Sequence, residues 1–489
     1  SPVEALLAIR VIDPACGSGH FLLAAARRLA EKLAQLRATD GEQTEQDFRH
    51  ALREVVSRCI FGVDRNPMAI ELARTALWLE GFEEGRPLGF LDHHLQVGDA
   101  LLGLTDLKAL EVGIAKDAFK PLSGDDKEVC KQLAKINAAA LKDLGKKRNA
   151  HAFGQLDVVG AIGGSLSQLQ ALEALPENST QEIAAKEAAY RAFLQQAKIS
   201  RLAHAADLLV GAYLLPKREG AETSIPTSAT LYLTLLGDVL PTGQLGALAA
   251  AQNACAEARV LHWPLAFPQV FAGGGFDCVL GNPPWEMLQL DPQEFFATRD
   301  PSVANAKHMT ARDKMIAELE QTNARLYAEY WSAVRLTEAV QNFIHASGRF
   351  PTSGFGRLNL AYLFTELFLD LRRAEGRSGL IVPTGIATDS FSQHLFNRIA
   401  KGNLISLFAI ENRDKLFAAV DSRMKFCLLT LGAAQAADFV YFATQVSQLA
   451  DPHRRFTLTP EEFRLLNPNT RTCPIFRSNA DAELTKKIY

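Results

Sequence analysis

Short apolar runs alternate with longer amphipathic stretches along the first part of the chain. The apolar runs are bounded by turn-forming residues, which is typical of buried strands. The predicted strands are residues 10–14, 59–64 and 94–97. The predicted helices, which carry apolar side chains at helical spacing, are residues 19–36, 47–57 and 65–82. This alternation of strands and helices predicts a mostly parallel α/β sheet.

The sheet pattern stops after the third predicted strand. Residues 105–260 read as helices rich in Ala, Glu, Gln and Lys, which predicts a helical insertion between strands three and four. The apolar run FDCVL at 276–280 predicts strand four, and a charged, mostly helical excursion follows it. The remaining expectations are a helix at 356–376, a strand ending at Pro383, a helix at 391–400, an antiparallel edge pair at 404–412 and 423–432, and a polar loop-like tail at 450–489.

Composition and charge describe an ordinary globular protein. The chain has 489 residues, 48% of them hydrophobic and 22% charged, with a net charge of −3 that neither requires nor excludes nucleic acid. There is no apolar run of membrane-spanning length and no secretory signal, so we expect a cytoplasmic protein without membrane contact. The seven cysteines are scattered without a C-x-x-C pair, which predicts neither a zinc site nor a disulfide framework. Since a motif begins close to Ser1 and the chain stops within a polar segment, we expect a piece of a longer protein.

Candidate chemistry is concentrated in the loop GNPPW that follows strand four. Pro283 and Pro284 lack backbone donors, and Asn282 adds a side-chain oxygen acceptor beside their carbonyls. Trp285 adds a flat apolar face. This combination predicts a site that stacks a planar ring and accepts hydrogen bonds from an exocyclic amine. The alternative interpretation is a Pro-Pro turn with an Asn cap.

Three other strand ends carry candidate ligand-binding residues. DPACGSG joins strand one to a helix, and its glycines allow a ligand close to the backbone and the helix N-terminus. The spacing is neither that of a dinucleotide fingerprint nor that of a P-loop, so no phosphate is expected. Asp64 ends strand two, where acidic residues bind ribose hydroxyls, although a helix N-cap is the alternative. Asp99 follows strand three, and its alternative is a turn residue.

The motifs occur in an order that resembles a known family. DPACGSGHF, GVDRNP, GDALL, GNPPW, LNLAYLFTELFL and GLIVP resemble the amino-methylating DNA methyltransferases of restriction-modification and phage-defence systems. The resemblance is to the large adenine-specific type that is fused to, or partnered with, restriction enzymes, including the BREX and DISARM methylases. It implies a class I S-adenosylmethionine-dependent methyltransferase fold, Rossmann-like, with a seven-stranded mostly parallel sheet and large helical insertions.

The resemblance also implies a role for each motif. The methionine side of S-adenosylmethionine would be lined by residues of the first turn, Asp13, Pro14, Ala15, Gly17, Gly19 and Phe21. Asp64 would bind the ribose hydroxyls, and Asp99 with its neighbour Ala100 would bind the cofactor's adenine. Asn282 and Pro283 would hold the target amine, with Pro284 in the same loop and Trp285 stacked on the flipped base.

The implied partners are double-stranded DNA with a flipped adenine and nuclease, helicase or other defence subunits. No metal is expected, because the sulfonium methyl is already activated and positioning carries most of the catalysis. The implied organisation is a first half of the methyltransferase sheet (1–104), a helical insertion (105–260), strand four with the catalytic loop (261–286), a second insertion (287–350), the second half of the sheet (351–440) and the start of a C-terminal target-recognition region (441–489).

Three alternatives stay open from the sequence. Cytosine-N4 methylation of DNA needs the same amine-binding loop. Protein glutamine and ribosomal RNA guanine methyltransferases use similar loops, although they lack two long insertions. A non-catalytic DNA-sensing or assembly subunit would keep the cofactor fold without the reaction.

Overall fold

The computed structural model describes residues 1–38, 44–149, 158–198, 200–236, 241–418, 420–468 and 472–488, so parts of the predicted insertion and C-terminal region lie outside the described residues. Nine strands are described: β1 (Val11–Asp13), β2 (Ile60–Asp64), β3 (Leu95–Val97), β4 (Phe276–Gly281), β5 (Arg372–Pro383), β6 (Leu404–Glu411), β7 (Lys425–Leu431), β8 (Ala437–Ala443) and β9 (Phe456–Leu458). They form one sheet in the order β3-β2-β1-β4-β5-β7-β6-β8-β9.

The central strands are apolar on both faces because helices cover the sheet on each side. Ile12, Phe61, Val63 and Val279 are all fully buried. Strands β1 to β5 are mutually parallel, with β1 paired to β2 and β4, β2 to β3, and β4 to β5. Their carboxyl ends therefore meet at one edge of the sheet, where the ligand sites of open α/β sheets lie.

The sheet differs from the expected seven strands in its second half, since the described residues form nine strands in all. β6 and β7 are antiparallel as predicted, but they are not an edge pair, because β7 lies between β5 and β6. β8 pairs parallel to β6, and β9 pairs antiparallel to β8. β9 lies in the tail at 450–489 that the sequence predicts to be a polar loop. β9 has only three residues, with Phe456 and Leu458 buried, which is too short for a periodic pattern to stand out.

Four helices flank the first half of the sheet: α1 (Pro2–Leu7), α2 (His20–Arg37), α3 (Glu45–Cys59) and α4 (Pro67–Glu80). Their starts follow local chemistry. The Thr44 side chain and Asp47 form a capping box at α3, and the Asn66 side chain accepts the Met68 N–H at the start of α4. α2, α3 and α4 lie close to the helices that the apolar spacing predicts, whereas α1 is not among the predicted helices.

Between β3 and β4 the described residues form helices: α5 (Ala109–Val112), α6 (Lys127–Asn149), α7 (Val158–Glu173), α8 (Thr180–Lys198), α9 (Arg201–Leu214), α10 (Ser228–Leu236), α11 (Leu245–Glu257), α12 (Trp263–Ala266) and α13 (Pro268–Ala272). Most of α9 is buried in the same apolar core as the sheet. It packs closely on α11, since a Cβ on Gly211 would lie 2.6 Å from the Ala251 Cβ. The insertion is therefore attached to the sheet through a continuous core.

The remaining helices are α14 (Pro292–Ala297), α15 (Pro301–Ala304), α16 (Met309–Thr322), α17 (Ala324–Ala346), α18 (Leu360–Leu371), α19 (Gly385–Thr388), α20 (Gln393–Ala400), α21 (Pro460–Leu466) and α22 (Asn479–Ile488). The helix predicted for 356–376 is shorter than expected, because Arg372 already pairs with Phe276 in the sheet. Among the described helices, none combines the length and the apolar composition that a bilayer crossing needs.

A buried ion pair joins the two helical excursions. Arg335 on α17 lies 3.1 Å from the Asp125 carboxylate, whose side chain is fully buried. The same guanidinium donates to the carbonyl oxygens of Leu214, at 2.7 Å, and Leu215, at 2.8 Å. These bonds cap the carboxyl end of α9 and hold it against α17.

Candidate active site

The turn after β1 is shaped by its glycines and by bonds to β2. Gly17 has a φ of +53°, and its N–H donates to Asp64 Oδ2 at 2.9 Å. Gly19 stands at the N-cap of α2 with a φ of +85°, where a Cβ would lie 3.1 Å from the Ala73 Cβ. Both positions therefore favour glycine for backbone conformation, and Gly19 also for close helix packing. Because α2 begins directly after this turn, its first N–H groups lie at the edge of the sheet where the carboxyl ends of β1 to β5 meet.

Asp64 connects this turn to the start of α4. Its Oδ2 accepts the Gly17 N–H, and its Oδ1 accepts the Asn66 N–H at 2.7 Å. The N-cap of α4 is Asn66, so the helix-cap alternative for Asp64 is wrong. Each carboxylate oxygen keeps a further lone pair, so the group can still accept bonds from a ligand.

Asp99 lies beyond the end of β3 and is largely buried. Its Oδ1 accepts the Leu101 N–H at 3.0 Å, and its Oδ2 lies 3.7 Å from Arg65 Nε. Burial raises the pKa of Asp99, and the Arg65 cation opposes that rise. Asp99 is therefore a turn residue, as the alternative interpretation has it, through the bond from the Leu101 N–H. Its other oxygen, Oδ2, keeps lone pairs that can accept a hydrogen bond from a ligand.

The Ala100 carbonyl is held by two side chains that the sequence does not mark as site residues. Trp263 Nε1 donates to it at 3.1 Å and Arg349 Nη2 at 2.9 Å. Arg349 also donates to the Leu101 carbonyl at 2.6 Å. Trp263 is fully buried, so its indole packs in the core while it donates the bond to the Ala100 carbonyl. The loop after β3 is thus fixed from the side of the helical excursions.

The end of β4 touches the end of β1. A Cβ on Gly281 would lie 2.5 Å from Asp13 Oδ1, so only glycine fits directly before Asn282. Burial raises the pKa of Asp13 to about 7; the Ala15 N–H, which donates to Oδ1 at 3.0 Å, lowers it, and the Asp64 charge raises it further. The turn after β1 and the loop after β4 are therefore in direct contact.

The Asn-Pro-Pro-Trp loop (residues 282–285) exposes its polar residue and anchors its aromatic one. Asn282 is exposed, whereas Pro283 is buried and Trp285 is half-buried. Trp285 Nε1 donates to the Ile381 carbonyl at 3.2 Å, and the indole stacks on Phe426 with ring centroids 6.3 Å apart. The loop thus presents an Asn side chain beside an immobilised aromatic ring.

A short antiparallel contact holds the far side of this loop. Residues 286–288 bond to residues 358–360, and the Asn359 side chain donates to the Trp285 carbonyl at 3.3 Å. The Asn359 Oδ1 also accepts the Ala361 N–H as the N-cap of α18. The sequence analysis did not identify Asn359 as a residue that holds this loop. The feature that could have identified it is an Asn placed directly before an apolar helix, where it acts as the N-cap.

The structure brings the predicted polar residues together. Asp99, Asp64, Asp13 and Asn282 follow or end β3, β2, β1 and β4, which are consecutive neighbours in the sheet. The other first-turn residues lie alongside: Pro14 is buried, and Ala15 and Phe21 are half-buried. Burial raises the pKa of the nearby Cys16 thiol, and that of Cys278 to about 11, so neither thiol is suited to nucleophilic chemistry.

Two family models match the chain. Residues 58–315 match the Eco57I restriction-modification methylase family, and residues 3–105 match the DNA-methyltransferase domain of MmeI. These matches include every strand end described above, since the first covers the ends of β2, β3 and β4 and the second covers those of β1, β2 and β3.

Individual relatives cover shorter segments. The chain is 30% identical over 120 residues to a Methanocaldococcus jannaschii protein named for a type II restriction enzyme and methyltransferase, a match of 22% of this chain and 10% of that protein. It is 36% identical over 102 residues to the adenine-specific methyltransferase PglX of Streptomyces coelicolor, covering 19% of this chain and 8% of that protein. Among solved structures, the DNA-bound Type ISP restriction-modification enzyme LlaBIII aligns with this chain at 8% sequence identity and a TM-score of 0.32. The alignment covers 88% of this chain and 17% of the LlaBIII chain. The chain thus matches only a small part of these relatives.

Proposed function

Because the chain belongs to the Eco57I restriction-modification methylase family, we propose that it transfers a methyl group from S-adenosylmethionine to the exocyclic N6 amine of adenine in DNA. One observation carries the proposal: a Gly-rich turn, two strand-end carboxylates and the Asn-Pro-Pro-Trp loop occupy consecutive strand ends of one sheet. The adenine assignment is supported by the similarity to the adenine-specific PglX.

We assign the fold to class I of the S-adenosylmethionine-dependent methyltransferases. The assignment is supported by seven consecutive strands in the order β3-β2-β1-β4-β5-β7-β6, in which β7 alone is antiparallel to both neighbours. β8 and β9 extend this arrangement at the β6 edge. The reversal of strand order at β1 and β4 creates the crevice in which ligands of such sheets bind.

The donor set at this edge fits S-adenosylmethionine, which supplies an activated methyl group when bound. The cofactor is cationic at its sulfonium and at its α-ammonium group, and Asp13 and Asp64 are acidic. Asp64 would accept hydrogen bonds from the ribose hydroxyls, and Asp99 from the adenine amine. The ligand would lie against the turn that contains Gly17 and Gly19, where a side chain would interfere.

Asn282 and the Pro283 carbonyl would hold the target amine. An aryl amine is a poor nucleophile because its lone pair is delocalised into the ring. Two acceptors that bind its protons favour a tetrahedral nitrogen with a localised lone pair, and this bonding strengthens towards the transition state. A base inside a duplex cannot reach the loop, so the adenine would be flipped out and stacked on Trp285.

We also propose the domain division given by the resemblance. Residues 1–104, 261–286 and 351–440 would form the methyltransferase sheet, with insertions at 105–260 and 287–350 and a target-recognition region beginning at 441–489. DNA, and nuclease or helicase subunits of a defence system, are the proposed partners. Nuclease or helicase activity would reside in parts of the system other than this sheet.

The direct test is to identify the methylated nucleoside. Plasmid DNA is incubated with the full-length protein and isotopically labelled S-adenosylmethionine, then digested and analysed by mass spectrometry. We expect labelled N6-methyladenine that is absent when S-adenosylhomocysteine replaces the cofactor. N4-methylcytosine would overturn the choice of base, and label found only in protein or RNA would overturn the choice of DNA.

Cofactor affinity is expected to fall as the pH drops through about 7, the value to which burial raises the pKa of Asp13. Below that pH the carboxyl group is protonated, and it must lose its proton to pair with the cofactor's ammonium group. Affinity should therefore fall by up to about tenfold per pH unit below 7 and level off above it. Calorimetry between pH 5.5 and 8.5 measures this, with Asp13→Asn as the control that should lose the dependence. A wild-type affinity independent of pH would contradict the role of Asp13.

A further inference from the structure

Three potential metal ligands meet at the opposite end of β3 from the candidate active site. His93 and His94 directly precede Leu95, the first residue of β3, and Glu173 is the last residue of α7. The ligand atoms of these three side chains all lie within 4.8 Å of one another. Asp99, by contrast, follows the carboxyl end of the same strand, so the cluster is separate from the cofactor edge of the sheet.

One polar atom of each side chain in this cluster is buried without a hydrogen-bond partner among the described residues. His93 is 2% exposed and His94 1%. The Nδ1 atoms of both rings and Oε1 of Glu173 have no hydrogen-bond partner among the described residues. The Gln269 side chain lies beside Glu173 where α13 packs on α7, and a hydrogen bond between the two side chains lowers the pKa of that carboxyl group. Native proteins rarely leave buried polar atoms unpaired, and several converging in one place indicate a missing ligand.

The pKa shifts agree with this burial. Burial lowers the pKa of His93 to about 3, with the Lys186 ammonium group acting in the same direction, and lowers that of His94 well below its ordinary value. Lys186 is itself paired with Glu177 at 2.7 Å. Burial raises the pKa of Glu173, while the charges of Arg10 and Lys186 and the hydrogen bond with Gln269 lower it.

Aromatic stacking fixes the two imidazole rings. His94 stacks on Phe61 of β2 with centroids 4.0 Å apart, and His93 lies parallel to Phe90 at 5.4 Å. The two rings are themselves 4.1 Å apart. Stacking thus restricts the orientation of both imidazole rings, which reduces the entropy that metal binding must overcome.

We propose that His93, His94 and Glu173 bind a divalent transition metal, with Zn²⁺ as the best fit. Two imidazoles and one carboxylate are a ligand set typical of zinc, and a water molecule can take the fourth position of such a set. On a tetrahedral ion with bonds of about 2.0–2.1 Å, ligand atoms lie roughly 3.4 Å apart. Since the three ligand atoms already lie within 4.8 Å of one another, side-chain movements of about 1 Å would bring them to that spacing.

The metal would fasten helices α7 and α8 to the sheet. These helices have a small apolar cluster of their own with the segment before β3, formed by Phe90, Leu169, Leu172, Tyr190 and Phe193. That cluster is separate from the main core, and Gln96 of β3 donates a hydrogen bond to the Tyr190 hydroxyl of α8 at 2.7 Å. A bond from Glu173 through the ion to His93 and His94 would add a second connection to the sheet.

The test measures metal content and thermal stability, neither of which depends on methylation. The full-length protein is purified without metal-affinity resin or chelator and analysed by inductively coupled plasma mass spectrometry. It is then stripped with chelator and titrated with Zn²⁺, and with Co²⁺ to record visible absorption of the bound ion. We expect about one metal per chain, a Tm that rises on adding stoichiometric Zn²⁺, and a Co²⁺ spectrum showing imidazole and carboxylate ligation.

The decisive variants are Glu173→Gln, which keeps the shape of the side chain, and His93→Gln. Each should weaken Zn²⁺ binding at least ~100-fold and remove the Zn²⁺-dependent rise in Tm. The matched control is Glu187→Gln on α8, whose exposed pair with Arg191 lies outside the cluster and whose loss should leave metal content unchanged. Circular dichroism verifies that each variant is folded. Absence of stoichiometric metal from wild type, saturation only at millimolar Zn²⁺, or full retention of affinity in Glu173→Gln would each overturn the proposal.

Discussion

Replacing Asn282 by alanine is expected to slow methyl transfer to DNA by the full-length protein by about 10²–10³-fold while leaving cofactor affinity nearly unchanged. The exposed Asn282 side chain follows β4, and the proposed bonds to the target amine matter most as the nitrogen becomes tetrahedral. Removing a donor or acceptor of this kind typically costs about 10²–10³ in rate. Single-turnover transfer of labelled methyl groups to plasmid DNA measures the rate, and calorimetry measures the cofactor affinity.

Two further variants of the same loop separate catalysis from binding. Asn282→Asp keeps an oxygen acceptor at the same position and should retain measurable transfer. Trp285→Ala should weaken capture of the flipped base by about 1–3 kcal/mol, the contribution of other aromatic stacking platforms, with a smaller effect on the methyl-transfer step itself. Undiminished methylation by Asn282→Ala would remove the loop from the mechanism, whatever the cofactor affinity.

The second large effect is expected for Asp64→Ala, which should weaken S-adenosylmethionine binding at least about 100-fold. Hydrogen bonds to a charged acceptor contribute about 1.5–3 kcal/mol each, and a ribose offers two hydroxyl donors. The same carboxylate also accepts the Gly17 and Asn66 N–H groups, so its loss releases the turn that would receive the cofactor. Isothermal titration calorimetry with the full-length protein measures the difference.

Asp64→Asn is the matched variant for this site. It keeps one side-chain oxygen for the Gly17 N–H but lacks the negative charge, so its affinity should fall between those of wild type and Asp64→Ala. Thermal denaturation shows how much of the effect comes from loosening the turn. Equal affinities of wild type and Asp64→Ala would refute the assignment of Asp64 to the ribose.

Local sequence patterns determined most of the first half of the fold and the identity of its strand ends. Each apolar run, each helix start and each Gly-rich turn is encoded within a few neighbouring residues, through burial, capping and backbone freedom. Parallel strands share one carboxyl edge, so the sequence also predicted that Asp13, Asp64, Asp99 and Asn282 would lie together. The family signature is carried by these same short motifs.

Pairing across the sheet decided what the local pattern could not. The position of β7 between β5 and β6, and the addition of β8 and β9, are set by hydrogen bonds between strands rather than by the pattern within any one strand. Strands as short as β9 are stabilised by their neighbours rather than by their own composition. The early end of α18 has the same origin, since Arg372 is drawn into the sheet by its pairing with Phe276.

Only the tertiary structure decided the contacts between distant segments. The close approach of Gly281 to Asp13 joins strands that lie far apart in the chain, and the Asn359 bond to the Trp285 carbonyl joins two loops. His93, His94 and Glu173 likewise share no motif spacing, so the sequence did not mark them as metal ligands. The packing of α7 on the sheet brings these three side chains together. Such contacts are set by the geometry of packed helices and paired strands, and that geometry is not written in any local stretch of sequence.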